Sequence, residues 1–372
     1  MKITIERGAL LKSLAHVQSV VERRNTIPIL SNVLLDAADN RLALTATDMD
    51  LTIAEKVAAQ VGTKGATTVS AHTLYDIVRK LPEGAQIQLE GSADGGQVTL
   101  KAGRSKFNLS TLPREDFPAT AGGDLPTKFS IAAKDLRNLI DRTKFAISTE
   151  ETRYYLNGIY LHAHTTGEVK VLRAVATDGH RLARFEMPLP AGAADMPGVI
   201  VPRKAVGELR KLIEETSDSI DIALSDAKVR FGFDDVVLNS KLIDGTFPDY
   251  QRVIPTGNDK VMEVDRKSFA EAVDRVSTIS SEKSRAVKMS LKAGSLTLSA
   301  NSPETGSASE ELEVKYGGTG IDIGFNSRYL LDITEQIEGE GAQFALADAA
   351  SPTLVRDVGD PSALYVLMPM RV

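Results

Sequence analysis

Apolar and polar residues alternate at Ile3 and Ile5, then switch to a spacing of three and four at Leu10, Leu14, Val17 and Val21. Alternation puts every second side chain on one face of a sheet, and the wider spacing lays a stripe along one side of a helix. The same switch runs from Phe129 and Ile131 into Leu136, Leu139 and Ile140, and from Met262 and Val264 into Phe269, Val273 and Val276. Alternating runs follow, among them Leu42–Ala46 and Leu296–Ala300. The pattern then restarts. Ala66–Val69 leads to a stripe at Leu74, Ile77, Val78 and Leu81; Val199–Val201 leads to Val206, Leu209, Leu212 and Ile213; Ile321–Ile323 leads to Leu330, Ile333 and Ile337. These patterns predict six strand–helix–strands halves, paired into three similar domains of an α+β fold.

Local sequence supports the repetition. Thr45-Ala46-Thr47-Asp48 returns as Val175-Ala176-Thr177-Asp178, 130 positions on, and more weakly as Leu298-Ser299-Ala300-Asn301. Ser110 to Phe117-Pro118 returns as Ser240 to Phe247-Pro248, again 130 positions on. A unit of that length is a domain rather than a solenoid repeat. The expected domains are 1–122, 128–253 and 255–372, with linkers Ala119–Lys128 and Pro255–Lys260 rich in Gly, Pro or polar residues.

Charge complicates this picture. The chain is acidic, with a formal net charge of −6, yet most of the predicted helices carry bases. Arg7, Lys12, Arg23 and Arg24 lie in or after the first. Lys134, Arg137 and Lys144 recur at helical spacing along the third, interrupted by Asp141; Arg203, Lys204, Arg210 and Lys211 mark the fourth, and Arg266, Lys267 and Arg275 the fifth. The sixth departs, with Arg328 beside Asp332, Glu335 and Glu338. Recurrence on successive helices suggests a segregated basic surface for phosphates. Aromatic residues are 5% of the chain and Trp is absent, so contact to a duplex backbone fits better than base stacking on single strands. No run of 18 apolar residues predicts a membrane span. Met1–Arg7 lacks the apolar stretch of a signal peptide, and the absence of cysteine fits a reducing cytoplasm.

Few motifs point to chemistry. No Walker loop is present, and Gly318–Gly324 mimics a dinucleotide loop only until it runs into a strand pattern. His162 and His164 share a strand face without a neighbouring carboxylate ligand, so no metal is expected. In Thr177-Asp178-Gly179-His180-Arg181, Asp178 and His180 could serve a DNA-processing hydrolase. The plainer reading is a turn, since no nucleophile or paired carboxylate accompanies them. The first repeat has Met49-Asp50 where the second has Gly179-His180, which points to a function local to the second. The apolar ending Tyr365–Arg371 reads as a final core strand that Pro369 interrupts, leaving Met368 and Met370 as an adaptable surface.

Pro28-Ile-Leu, Arg153-Tyr-Tyr-Leu-Asn-Gly158, Ala176-Thr-Asp-Gly-His-Arg-Leu182, Val201-Pro-Arg-Lys204, Phe247-Pro-Asp-Tyr250, Gly324-Phe-Asn326 and Met368-Pro-Met-Arg371 together resemble the bacterial DNA polymerase III beta subunit, the replicative sliding clamp family. The resemblance covers the whole chain. It implies a non-catalytic processivity factor: a head-to-tail homodimeric ring with helices lining the hole, sheets outside and duplex DNA encircled without sequence preference. It implies DNA contacts at Arg24, Tyr154, Tyr155, Arg203 and Lys204, with Glu150 an acidic departure in the Tyr154 loop. It further implies a pocket of Leu156, Thr177, Gly179, His180, Arg181, Leu182, Pro248, Arg252, Val253, Val366, Met368, Pro369, Met370 and Arg371. Short peptides of the replicative polymerase, the clamp loader and repair polymerases would enter it. Phe107 and Leu109 would meet Thr278 and Ile279 across the dimer interface. No cofactor is implied.

Overall fold

The computed structural model describes residues 1–371 apart from 94, 120–121, 215, 217–218 and 282–284, so part of the expected first linker lies outside the described residues. All six halves have one plan: a strand, a helix and three further strands. The first holds β1 (Lys2–Glu6), α1 (Arg7–Gln18), β2 (Asn32–Ala38), β3 (Arg41–Thr47) and β4 (Leu51–Ala58), after which β5 (Gln60–Thr63) is an addition. The second holds β6 (Gly65–Ser70), α2 (Ala71–Lys80), β7 (Gln86–Gly91), β8 (Gln97–Ala102) and β9 (Ser105–Leu112). The third holds β10 (Thr127–Ala132), α3 (Ala133–Asp141), β11 (Gly158–Thr166), β12 (Val169–Thr177) and β13 (Arg181–Pro188). The fourth holds β14 (Val199–Pro202), α4 (Arg203–Leu212), β15 (Ser219–Leu224), β16 (Lys228–Phe233) and β17 (Val236–Lys241). The fifth holds β18 (Lys260–Asp265), α5 (Arg266–Ser277), β19 (Ala286–Lys292), β20 (Ser295–Ser302) and β21 (Gly306–Glu313). The sixth holds β22 (Ile321–Asn326), α6 (Ser327–Thr334), β23 (Gly341–Leu346), β24 (Thr353–Asp357) and β25 (Ala363–Leu367).

The strand-to-helix corner has a local cause. A polar residue ends the strand and caps the helix: Glu6 accepts from the Ala9 N–H at 2.9 Å, Asp265 from Ser268 at 2.8 Å and Asn326 from Arg328 at 3.0 Å. Each bond satisfies an amide that the helix itself leaves unpaired. The stripe residues Leu10, Leu14 and Val17 are then wholly buried, each worth roughly 1.5–3 kcal/mol of apolar transfer. Helices end sooner than periodicity suggests. Val21, Leu81, Ile213 and Ile337 lie just past their helices, yet all are buried, because the chain turns and delivers them to the same core.

Two compact units result. One comprises Met1–Lys134, Ala191–Met196 and Lys204–Leu242; the other comprises Asp135–Pro190, Pro197–Arg203 and Ile243–Val372. The first unit contains a thirteen-stranded sheet, ordered β10-β15-β16-β17-β4-β3-β2-β6-β9-β8-β7-β1-β5. The second contains an eight-stranded sheet, β14-β11-β12-β13-β25-β24-β23-β18, and a four-stranded sheet, β21-β20-β19-β22. The middle repeat is shared because its end strands continue the sheets of both neighbours. In the first unit β17 pairs antiparallel with β4, Leu238 opposite Ile53. In the second β13 pairs antiparallel with β25, Leu182 opposite Val366.

Candidate partner-binding site

The turn between β12 and β13 is built by two side chains. Thr177 Oγ1 donates to the Arg181 carbonyl at 2.7 Å and accepts from the Gly179 N–H at 3.1 Å. Asp178 Oδ1 accepts from the N–H groups of His180 (2.9 Å) and Arg181 (3.0 Å), and its Oδ2 from Arg181 Nε at 3.2 Å. Gly179 takes a φ of +88°, which only glycine enters without steric cost. A Cβ there would also lie 2.5 Å from Arg153 Nη1. The carboxylate that a hydrolase would use is thus committed to the backbone and to Arg181. The exposed His180 ring instead stacks on Tyr329, 6.5 Å between centroids. Among the described residues no cluster of three potential metal ligands exists.

Arg181 is a support beneath the groove. It is buried, donating to Asp332 at 2.5 Å and to the Phe145 carbonyl at 2.6 Å, with its guanidinium 4.3 Å from the Tyr329 ring centroid and 5.1 Å from that of Phe145. Leu156, Leu182 and Val366 are buried in one cluster with Val175, Ile200, Phe247, Tyr250, Leu354 and Leu364. They make a floor. The rim is different: Val253 is 49% and Met368 41% exposed, large apolar surfaces left to solvent. Pro248, His180 and Arg371 are exposed beside half-buried Pro369 and Met370, and Arg252 reaches outward from its ion pair with Asp249 at 2.8 Å. The tail leaves β25 at Met368, whose N–H donates to the His180 carbonyl at 2.9 Å, but it does not stay free. Met370 donates to Gly324 at 2.8 Å, so the chain re-pairs one residue past Pro369. All fourteen expected pocket residues belong to one unit.

Sequence patterns did not single out what holds the Tyr250 turn. Tyr250 OH donates to His162 Nε2 (3.0 Å) and accepts from Arg173 Nη1 (3.3 Å), while His162 Nδ1 donates to the Ala163 carbonyl (2.9 Å). Arg173 in turn pairs with Glu186 at 2.7 Å. The available signal was a charge inside the buried run of β12, since a buried arginine needs partners. Burial holds the His162 pKa below its ordinary value; the Ala163 bond opposes this, and the charges of Arg173 and His164 add to it. The neutral ring is favoured in the fold, so its contribution is present above the unfolded value of about 6.5 and is lost as pH falls toward the lowered folded value. We expect the thermal midpoint to drop between pH 7.5 and pH 5.5 by more in the parent than in His162→Gln. Equal pH slopes in the two proteins would contradict this role.

The expected DNA contacts divide. Arg24 is exposed and, among the described residues, has no carboxylate partner. Tyr154 is 53% exposed and meets Tyr155 edge to face at 5.8 Å. Tyr155 is half-buried against the pocket cluster. Arg203 is exposed at the first position of α4. Lys204 is already engaged, donating to Glu22 (2.5 Å), Asp48 (2.6 Å) and the Val20 carbonyl (3.1 Å). Glu150 holds Arg153 at 2.6 Å, and that bond lowers the Glu150 pKa. Other bases expected on an open phosphate surface are also committed: Arg7 donates to the last carbonyls of α2, at Val78 (3.1 Å) and Arg79 (2.7 Å), and Arg275 pairs with Glu310 at 2.6 Å. Arg24 and Lys204 belong to one unit, Tyr154, Tyr155 and Arg203 to the other.

Phe107 and Leu109 are half-buried on β9, where residues 105–110 pair with β8 only. Thr278 and Ile279 follow α5, and the Ile279 carbonyl accepts from Thr305 Oγ1 at 2.8 Å.

Comparison with known proteins places this architecture. Three domain models of the DNA polymerase III beta subunit match in order: the N-terminal domain at residues 1–121, the central domain at 130–249 and the C-terminal domain at 251–371. The beta sliding clamp of Caulobacter vibrioides is 56% identical over 372 residues, covering all of both chains, and that of Escherichia coli K12 is 39% identical over 373 residues with the same coverage. A crystal structure of a sliding clamp from Bartonella birtlesii bound to griselimycin superposes with a TM-score of 0.97 at 52% identity over the full length of both chains.

Proposed function

This chain belongs to the DNA polymerase III beta-subunit family, the bacterial sliding clamps, and from that premise we propose that two copies close head to tail around duplex DNA and tether the replicative polymerase to it. The observation that carries the closure is a pair of sheet edges. The repeat equivalents β4 and β13 are each covered, by β17 and β25 respectively. Among the described residues their third equivalent, β21, pairs with β20 alone, and the equivalent of β17 and β25 in the first repeat is β9, open along 105–110. The pattern that joins the repeats within one chain therefore leaves one strand of each kind unused. Both unused strands are largely exposed, whereas β25 is buried throughout. Lys106 lies along one edge, with Arg104 in the turn before it, and Glu311 and Glu313 lie along the other. Pairing β9 with the β21 of a second copy satisfies both rows of backbone groups and removes an aggregation hazard.

The domains of this assembly are those bounded at 1–122, 128–253 and 255–372, which the spans of the three domain models support. Arg24 in one unit and Arg203 and Tyr154 in the other are its free contacts to DNA, with Tyr155 supporting Tyr154 and Lys204 charge-balanced by Glu22 and Asp48. Phosphate contact carries no sequence information, so the ring slides. The protein performs no reaction of its own. Peptides of the polymerase catalytic subunit, the clamp loader and repair polymerases insert apolar side chains between Met368 and Val253, over the floor of Leu156, Leu182 and Val366. A few buried anchors account for most of such an affinity. No helix among the described residues is long and apolar enough to cross a membrane, and we place the protein in the cytoplasm with the DNA it serves.

Topology separates this function from ordinary DNA binding. Loaded on nicked circular plasmid, the protein should stay bound in high salt and leave once the plasmid is cut to a linear form. Equal loss from circular and linear DNA would overturn the ring.

A further inference from the structure

The pocket turn has a twin in the other unit. Thr47 Oγ1 donates to the Leu51 carbonyl (3.0 Å) and accepts from the Met49 N–H (3.1 Å), as Thr177 does with Arg181 and Gly179. Asp48 Oδ1 accepts from Asp50 and Leu51 (3.0 and 2.7 Å), as Asp178 does from His180 and Arg181. Lys241 donates its N–H to the Asp50 carbonyl (2.8 Å), as Met368 does to His180 (2.9 Å). Beside this second turn lies a hollow of about 270 Å³, bordered by Met49, Asp50, Thr52, Pro118, Leu125, Lys228, Arg230 and Lys241. The repeat has thus built the same groove twice, and its chemistry differs: Lys241 stands for Met368, Asp50 for His180 and Thr52 for Leu182.

Two observations indicate what it takes. Met49 adopts a φ of +81°, where Gly179 has +88°. A non-glycine residue is strained there, and the side chain so held is 52% exposed rather than packed. Methionine is an adaptable apolar contact. The charged part of the rim is net cationic: Asp50 pairs with Lys241 at 2.9 Å, while Lys228 and Arg230 have no carboxylate partner among the described residues. We propose that this groove, at the junction of β4 and β17, is a second docking site, for an acidic peptide segment of a partner protein bearing one large apolar side chain. The apolar side chain lies against Met49 and Leu125, and its flanking carboxylates meet Lys228 and Arg230. The same peptide in uncharged form lacks these ion pairs and binds more weakly.

The chain's eight methionines make both grooves visible in one sample. The full-length protein, labelled with ¹³C at the methionine methyls, would be titrated with an acetylated Asp-Glu-Leu-Phe-Asp-Glu peptide. We expect the Met49 resonance to move saturably, with affinity lowered about tenfold or more in the double variant Lys228→Glu, Arg230→Glu. The Met368 resonance should respond alike in parent and variant, and an unchanged thermal transition reports that the variant is folded. A Met49 resonance that stays still under saturating peptide, or moves identically in the double variant, would overturn the proposal.

Discussion

The double variant Phe107→Asp, Leu109→Asp should migrate as a single chain of 40.0 kDa, where the proposed ring requires about twice that mass of the parent. Both side chains are half-buried on the open stretch of β9. Phe107 also borders a hollow with Ile77, Leu81, Pro82, Asp76 and Lys80. Two carboxylates in that joint would be desolvated without partners, each costing several kcal/mol. The dissociation constant should rise by about a thousandfold or more. Neither side chain belongs to the wholly buried core, so the thermal transition of the isolated chain should persist. Sedimentation analysis at micromolar concentration checks this, and a variant that remains dimeric would remove β9 from the interface. The same variant should fail the plasmid-retention test, because an open chain has no topological hold on DNA.

Deleting residues 368–372 should lower the affinity of a Gln- and Leu/Phe-containing partner peptide by about thirtyfold or more without changing the mass of the assembly. The argument rests on where β25 stops. Its ladder with β13 ends at Leu367, opposite Arg181, so the buried strand and the cluster beneath it survive the deletion. What is lost is the rim: the exposed Met368, its bond to His180 and the bridge from Met370 to Gly324. Fluorescence anisotropy with a labelled peptide reads the loss directly. Unchanged affinity would place the binding surface elsewhere. Arg181→Ala would be a poor substitute, since a buried guanidinium with three protein partners is part of the scaffold and its removal leaves Asp332 with only the longer ion pair to Arg328 at 3.9 Å.

The six-half plan, the three repeats and the family were all legible along the chain. Alternation and helical spacing are local consequences of which side of an element must be buried, so Ile3, Leu10 and their counterparts announce themselves along the chain. The odd motifs were legible too, because Gly179-His180-Arg181 and Met368–Arg371 break a repeat that is otherwise kept. Roles within those motifs were not legible. Nothing along the chain announces that Asp332, Phe145 and Tyr329 surround Arg181, or that Glu22 and Asp48 meet the Lys204 ammonium. Periodicity cannot say which distant carboxylate a cation finds. Only the tertiary structure set β4 against β17 and β13 against β25, and so identified β9 and β21 as the edges left over. Strand pairing joins residues far apart in the chain through backbone groups that every residue carries, and those groups leave no mark in the sequence.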